Sequence, residues 1–174
     1  MNRKIAGIFI IAILSSVMAV NASALTDDRS LTRKERKEAD RMKVDKMLAD
    51  TVYTLDVTTA MPLGWKSINL TSRYNLKVDK DKVVSSLPYY GRAYSIPYGG
   101  GDGLMFEGKA EDYSIVPGKK GARKVSFTVR TKEDTFDFHM EISPEGTSSL
   151  TVISNNRQPI SFYGRLDLLH LEDD

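Results

Sequence analysis

Four of the eight tyrosines in this 174-residue chain lie within ten positions of one another, in a segment that also carries an arginine and two prolines and is followed by a glycine cluster. A tyrosine ring offers a rigid apolar surface with a hydroxyl at its tip. A guanidinium can stack on such a ring or bind a carboxylate through two parallel hydrogen bonds. This segment therefore has the chemistry to recognise a peptide, a glycan or a small acid through Tyr89, Tyr90, Arg92, Tyr94 and Tyr98.

The same segment also fits a purely structural role. Aromatic side chains often pack together into a small core. Tyr89, Tyr90 and Tyr94 can lie beneath the glycine turn at residues 99–103, and Arg92 can then bond to a backbone carbonyl. The sequence leaves both interpretations open.

Two further polar segments are weaker candidates. Residues 155–161 form a polar turn that presents Arg157, but paired asparagines are ordinary in tight turns. His139 alternates with Asp137 and Glu141 on the polar face of a predicted strand, where the three side chains could hold a metal ion or move a proton. One histidine with two carboxylates is a thin ligand set, so an exposed strand face is the simpler interpretation and we predict no metal site.

The composition excludes several kinds of chemistry. Without cysteine, the chain has no disulfide, no thiolate metal site, no cysteine nucleophile and no lipidated N-terminal cysteine. The motifs of a serine nucleophile elbow, a phosphate-binding loop and a zinc protease are absent from the sequence. The 25 basic residues nearly balance the 23 acidic ones, which is atypical of a nucleic-acid-binding protein. We therefore predict no catalytic residues, no cofactor and no nucleic-acid partner.

A charged helix is predicted over residues 31–50, which contain no glycine or proline and begin with a capping-box pattern. Its apolar residues do not form a single stripe, so only the last turns, around Val44, Met47 and Leu48, are expected to dock on a core. Eight basic and four acidic residues lie between positions 29 and 46. This pattern is more typical of a solvated helix face than of attachment to an anionic surface.

From Thr51 onward the apolar pattern changes to period two, which predicts β-strands. Short turn segments rich in Gly, Pro, Asn and Asp separate the strands, and this spacing favours an antiparallel meander. We predict a mainly β fold, either a β-sandwich or a partly closed up-and-down barrel, preceded by the single helix. The predicted strands cover residues 52–58, 67–70, 74–78, 82–85, 104–106, 112–116, 124–130, 135–142, 149–153 and 160–168.

The first 24 residues have the pattern of a secretory signal peptide. A basic start with Arg3 and Lys4 precedes an apolar run over residues 5–20, and small residues end the segment at Ala24. The run is short for a membrane-spanning helix, although an uncleaved anchor is the alternative. Loss of Arg3 and Lys4 leaves 23 basic against 23 acidic residues, so the mature chain has no formal net charge. We predict a signal peptide at 1–24, a charged helical segment at 25–50, one all-β domain at 51–170 and an acidic tail at 171–174.

Across nearly the whole mature chain, the sequence resembles a family of exported Bacteroidetes proteins described as domain of unknown function 4251. The most specific part of the resemblance is the tyrosine-glycine-arginine block at residues 87–94. The family implies no particular activity, cofactor or site residue, but it implies a Gram-negative envelope setting. The other matching residues are Arg33, Lys34, Glu35, Met61, Pro62, Leu70, Thr71, Tyr74, Leu76, Ser154, Asn155, Asn156, Arg157, Gln158, Ile160, Ser161, Tyr163 and Gly164.

The envelope setting has two further implications. Since the chain has no lipobox cysteine, the mature protein is expected to be periplasmic or secreted, without a stable membrane anchor. Asp50-Thr51-Val52 is similar to a short sequence that such bacteria O-glycosylate, so the resemblance implies a possible sugar at Thr51.

These observations favour an exported, non-catalytic binding or accessory module of the bacterial cell envelope. Its partner would be an unidentified envelope ligand or protein. A hydrolase acting on envelope or dietary polymers is one alternative, and a structural or inhibitory envelope protein is another. The predicted ligand-binding residues are Tyr89, Tyr90, Arg92, Tyr94, Tyr98 and Arg157.

Overall fold

The computed structural model describes residues 32–94 and 103–169. The predicted signal peptide, Tyr98 and the predicted acidic tail lie outside these residues. One helix, α1, spans Arg33–Asp50, and a short 3-10 turn spans Lys119–Gly121. The eight strands are β1 (Val52–Pro62), β2 (Ile68–Asp79), β3 (Lys82–Leu87), β4 (Leu104–Pro117), β5 (Arg123–Arg130), β6 (Thr135–Ile142), β7 (Thr147–Ser154) and β8 (Ile160–Leu166).

The strands form a closed antiparallel barrel. Each strand pairs with the next one in the chain, and β8 returns to pair with β1, from Pro62 opposite Ile160 to Leu55 opposite Leu166. The predicted mainly β meander with one N-terminal helix is therefore confirmed. Closure between β1 and β8 makes the fold an up-and-down barrel, not a β-sandwich.

Ten predicted strands become eight because β2 and β4 each contain two of the predicted strands. In β2, residues 70–73 stand opposite the single residue Thr58, and in β4 the pairing with β5 shifts between Glu111 and Ser114. Asp112 has a φ of 53° within the second bulge. The bulge in β2 interrupts the two-residue periodicity between its two predicted runs. In β4 the predicted runs are separated instead by residues 107–111, a mostly polar stretch with a glycine that pairs regularly with β3 and β5 ahead of the bulge.

Large apolar side chains fill the interior of the barrel. Alternate residues of each strand point inward, as the period-two pattern predicted, and Phe138 stacks on Phe127 with ring centroids 4.9 Å apart. The inward hydroxyl of Ser85 donates a hydrogen bond to the Leu104 carbonyl at 2.6 Å. The largest fully buried side chains are Phe138, Phe162, Leu55, Leu76, Leu87, Leu104, Ile142, Leu150, Ile160, Leu166, Val44 and Val78.

Helix α1 packs against one end of the barrel. Val44, Met47 and Leu48 are its buried residues, and these are the three that the sequence predicted to dock. Three ion pairs join the helix to the same end of the barrel. They link Asp45 with Arg123 at the start of β5, Lys37 with Glu145 between β6 and β7, and Asp40 with Arg165 near the end of β8. Within the described part of the chain, no helix has the length and apolar character needed to cross a membrane.

The opposite end of the barrel, which we call the distal end, carries the connections β1–β2, β3–β4, β5–β6 and β7–β8. Their described residues are 63–67, 88–94 with 103, 131–134 and 155–159. The described tyrosines of the cluster, Tyr89, Tyr90 and Tyr94, and Arg157 therefore lie at the distal end, away from the helix.

Candidate functional site

Two chain segments meet across the distal end and form what we call the distal clasp, residues 89–94 and 155–158. Ala93 forms an isolated antiparallel bridge with Arg157. The amide of Tyr94 donates to the Asn156 carbonyl at 2.7 Å, and the amide of Gln158 donates to the Arg92 carbonyl at 3.0 Å. The first part of the β3–β4 connection, up to Tyr94, is thus joined by backbone hydrogen bonds to a connection that lies far away in sequence.

Tyr89 is the centre of the clasp. Its hydroxyl lies 2.8 Å from the Arg92 carbonyl oxygen and 3.1 Å from that of Gln158, so its single proton is shared between two acceptors. Burial raises the pKa of Tyr89 above its ordinary value, while the hydrogen bond to Gln158 and the nearby charge of Arg157 act in the opposite direction. The hydroxyl is therefore neutral at physiological pH and is engaged within the protein.

Arg157 covers Tyr89 and ties the clasp to the start of β4. Its guanidinium carbon lies 5.2 Å from the centroid of the Tyr89 ring, within cation–π distance. Its Nη1 donates to the Gly103 carbonyl at 2.7 Å. Gly103 has a φ of +109°, and a Cβ there would lie 2.7 Å from the Leu87 carbonyl oxygen, so the bend that presents this carbonyl requires glycine.

The predicted ligand-binding residues separate into two groups. Tyr89 and Arg157 make internal contacts, and half-buried Tyr90 packs against the barrel core. Arg92 and Tyr94 are exposed, and the Tyr94 side chain is 71% accessible. The sequence predicted that, in a structural role, Arg92 would bond to a backbone carbonyl, but Arg157 makes that bond instead. Of the described members of the set, Arg92 and Tyr94 have side chains that a ligand could contact.

His139, Asp137 and Glu141 lie on the outer face of β6. His139 is exposed between Ser126 of β5 and Thr151 of β7, in a shallow depression of about 380 Å³. Asp137 accepts a hydrogen bond from the Thr128 hydroxyl at 2.7 Å instead of turning toward His139. Among residues 32–94 and 103–169, no three metal-ligating side chains are grouped to hold an ion.

Thr51 lies at the junction between α1 and β1, where the sequence placed it. It is half-buried and adopts a φ of +56°, and its carbonyl accepts a hydrogen bond from the Lys80 amide at 2.8 Å. This conformation is uncommon for a β-branched residue. Glycosylation of its hydroxyl stays a prediction.

The turn between β1 and β2 is a feature that the sequence reasoning missed. Leu63 and Trp65 are 62% and 65% accessible there, at the same end of the barrel as Arg92 and Tyr94. The available signal was the single tryptophan of the chain, which stands in a Pro-Leu-Gly-Trp turn and not in a strand with period-two burial. Together these four side chains make the distal end rich in exposed aromatic, apolar and cationic groups.

Comparisons with known proteins identify relatives of this chain. The model of a family described as Domain of unknown function (DUF4251) matches residues 35–166. The crystal structure of a DUF4251 family protein from Bacteroides eggerthii DSM 20697 is similar, with a TM-score of 0.59 and 17% sequence identity. The match covers 79% of this chain and 95% of that one, and at this identity it shows the fold alone. None of the curated proteins matches the chain.

Proposed function

The chain belongs to the DUF4251 family, and we propose that it is an exported, non-catalytic binding or accessory module of the bacterial cell envelope, with its ligand site at the distal end of the barrel. The signal-peptide pattern of residues 1–24 supports export. The family resemblance of the sequence, which implies exported Bacteroidetes proteins, supports a Gram-negative envelope setting.

The observation that carries the proposal is the presentation of two exposed side chains on a fixed support. Arg92 and Tyr94 project from a connection that the distal clasp holds through backbone bonds to Asn156 and Gln158. Binding residues are commonly placed on loops that a rigid scaffold positions. Preorganisation of this kind lowers the entropy that a loop loses when it binds a ligand.

The two side chains also define what the site would bind. Tyrosine and arginine are the residue types that dominate binding surfaces, because each adds a large planar contact area to hydrogen bonding. Among the described residues, Arg92 forms no ion pair, so its guanidinium is available for a carboxylate. A ligand with a carboxylate beside a ring or sugar face, such as a peptide or an acidic glycan, fits this pair.

A photocrosslinking experiment in the producing bacterium tests the site. A benzophenone amino acid replaces Tyr94 in one strain and exposed Lys77, which lies on β2 toward the helical end, in a control strain. We expect irradiation to give a discrete adduct from position 94 and not from position 77, and Arg92→Met should weaken that adduct. Absence of an adduct at position 94, or the same adducts from both positions, would refute the assignment of the site.

Export is tested separately by the intact mass of the protein recovered from the envelope and culture fractions. A polypeptide that begins at Leu25 is the expected result. Recovery of the chain with Met1 or the apolar run at residues 5–20 retained would contradict the predicted cleavage.

A further inference from the structure

The turn between β1 and β2 presents two apolar side chains to solvent on an ordered support. We call residues 63–66 the tryptophan tip. The Trp65 amide donates to the Pro62 carbonyl at 3.3 Å, and Gly64 adopts a φ of +78°, so the turn has a defined conformation. Leu63 and Trp65 remain 62% and 65% accessible. Together the two side chains form a small exposed apolar patch that docking on another surface would cover.

Every charged residue between Asp56 and Asp79 is basic; Lys66 and Arg73 are nearest the tip in sequence, whereas Lys77 pairs opposite Thr54, nearer the helical end. No acidic residue occurs between Asp56 and Asp79, although the chain contains 23 acidic residues. The basic residues in that interval are Lys66, Arg73 and Lys77, all of them exposed. Within the described residues, neither Lys66 nor Arg73 forms an ion pair. The surface that meets the tip should therefore be negatively charged.

Among the described strands, none pairs with the outer part of β2 on the side that faces β3. β3 pairs with β2 only along Asn75–Asp79, so residues 68–74 of β2 extend past the last residue that β3 holds. On its other side the hairpin is supported, since β8 pairs with β1 as far as Pro62. The hairpin is thus supported by β8 on one side, and among the described residues no strand covers the outer part of β2 on the other.

We propose that the tryptophan tip docks on an anionic lipid bilayer. Trp65 would lie at the headgroup level, where the amphipathic indole ring is favoured, and Leu63 would enter the adjoining acyl region. Lys66 and Arg73 would pair with lipid phosphates, because basic residues next to a membrane are attracted to anionic lipids. Two inserted side chains with a few cations give weak and reversible binding.

A bilayer fits this surface better than a protein partner does. Specific protein interfaces bury more than about 1,000 Å² and have an apolar centre from which charges are depleted. The tip offers only two apolar side chains, with Lys66 directly beside Trp65. This docking is independent of the ligand site proposed at Arg92 and Tyr94, because it requires neither side chain.

Because Trp65 is the only tryptophan in the chain, its fluorescence reports the tip without interference. The protein purified from its producing cell is titrated with vesicles of phosphatidylglycerol and phosphatidylethanolamine, and separately with vesicles of phosphatidylcholine. We expect a blue shift with the anionic vesicles, quenching when brominated lipids are included, and a much weaker response to phosphatidylcholine.

Substitutions that retain Trp65 locate the contact. Leu63→Ser and Lys66→Glu should each lower partition into the anionic vesicles about tenfold. The controls are Met42→Ser, which replaces a 68% accessible side chain on α1, and Lys77→Glu, which reverses a charge lower on β2. Both controls should bind as the unsubstituted protein does.

Three outcomes would overturn the proposal. The first is an unchanged Trp65 spectrum with anionic vesicles. The second is partition that Leu63→Ser leaves intact or that Met42→Ser abolishes, since either places the contact elsewhere. The third is an unchanged spectrum with vesicles together with Leu63-dependent retention of the protein on an immobilised lipid-free envelope protein fraction, which would assign the tip to a protein partner.

Discussion

Arg92 and Arg157 lie on the two segments of the distal clasp, but only Arg157 has a guanidinium engaged within the protein. Arg157 bonds to the Gly103 carbonyl and covers the Tyr89 ring, whereas Arg92 contributes backbone groups to the clasp and is exposed. The chain therefore uses one arginine for support and keeps the other available for a ligand. This division can be tested by the same substitution at both positions.

Arg157→Met should lower the free energy of unfolding by about 1 to 3 kcal/mol, because it removes a charge-assisted hydrogen bond and leaves the Gly103 carbonyl without its donor. Arg92→Met is the matched control and should change stability by less than about 0.5 kcal/mol, as expected for an exposed side chain. Urea unfolding followed by circular dichroism measures both. Equal losses for the two variants would mean that Arg92 also supports the fold.

At the scale of elements, closure of the barrel depends on the close approach of β8 to β1. Gly164 stands opposite Val57, beside the irregularity where the register shifts before Thr59. A Cβ at Gly164 would run into the Asp56 carbonyl oxygen and lie 2.9 Å from the Val57 Cα. Backbone atoms cannot turn aside as a side chain can, so the two strands reach this distance only with glycine.

Gly164→Ala should therefore destabilise the protein by about 3 kcal/mol, which is the upper range for overpacking. Gly64→Ala separates this clash from backbone strain, because a Cβ there meets no atom within 4 Å but the φ of +78° is unfavourable. That substitution should lower the free energy of unfolding by about 1 kcal/mol. Thermal unfolding of both compares them, and a loss at Gly64 as large as that at Gly164 would contradict the packing explanation.

The local pattern predicted the elements but not how they associate. Period-two alternation located the strands, and the docked residues Val44, Met47 and Leu48 followed from the last turns of the helix. Closure needs β1 to pair with β8, which lies from 98 (Pro62 to Ile160) to 111 (Leu55 to Leu166) positions away in sequence. Such a contact leaves no periodic signal, and the sequence therefore could not separate a sandwich from a barrel.

The same limit applies to the candidate site. Composition alone located the tyrosine cluster, since four tyrosines beside an arginine are unusual in any segment. Which arginine supports the cluster depends on the bridge between Ala93 and Arg157, and no local pattern encodes that bridge. The tryptophan tip was missed because an apolar side chain in a turn looks the same in sequence whether it is buried or exposed.

At the scale of the whole molecule, the two ends of the barrel differ in what they present. The helix covers one end through its buried last turns and its ion pairs, while the distal end presents Arg92, Tyr94 and the tryptophan tip. The filled interior links the two ends rigidly. A ligand site and a lipid-contacting tip at the same end could act together, because both would face the same envelope surface.

A pair of tyrosines links β1 and β4 near the helical end of the barrel, where β4 extends beyond the start of β3. β3 begins at Lys82, opposite Lys109, and leaves the following residues of β4 without β3 as a neighbour. The hydroxyls of Tyr53 on β1 and Tyr113 on β4 lie 3.2 Å apart. Burial raises the pKa of Tyr53 well above its ordinary value, and interaction with Tyr113 raises it further.

Because of this pair, the free energy of unfolding should depend on pH in the alkaline range. Because the folded state raises the pKa of Tyr53, the unfolded chain releases its proton first, above about pH 10. The stabilisation is therefore fully present below that pH and is lost as the pH rises toward the folded-state pKa, by at most about 1.4 kcal/mol per pH unit for one proton.

Tyr53→Phe should unfold at lower urea at neutral pH, since Tyr113 loses its partner, but its stability should decline less steeply above about pH 10. Half-exposed Tyr163→Phe should keep the decline of the unsubstituted protein, so equal slopes for all three proteins would exclude Tyr53 as the titrating group.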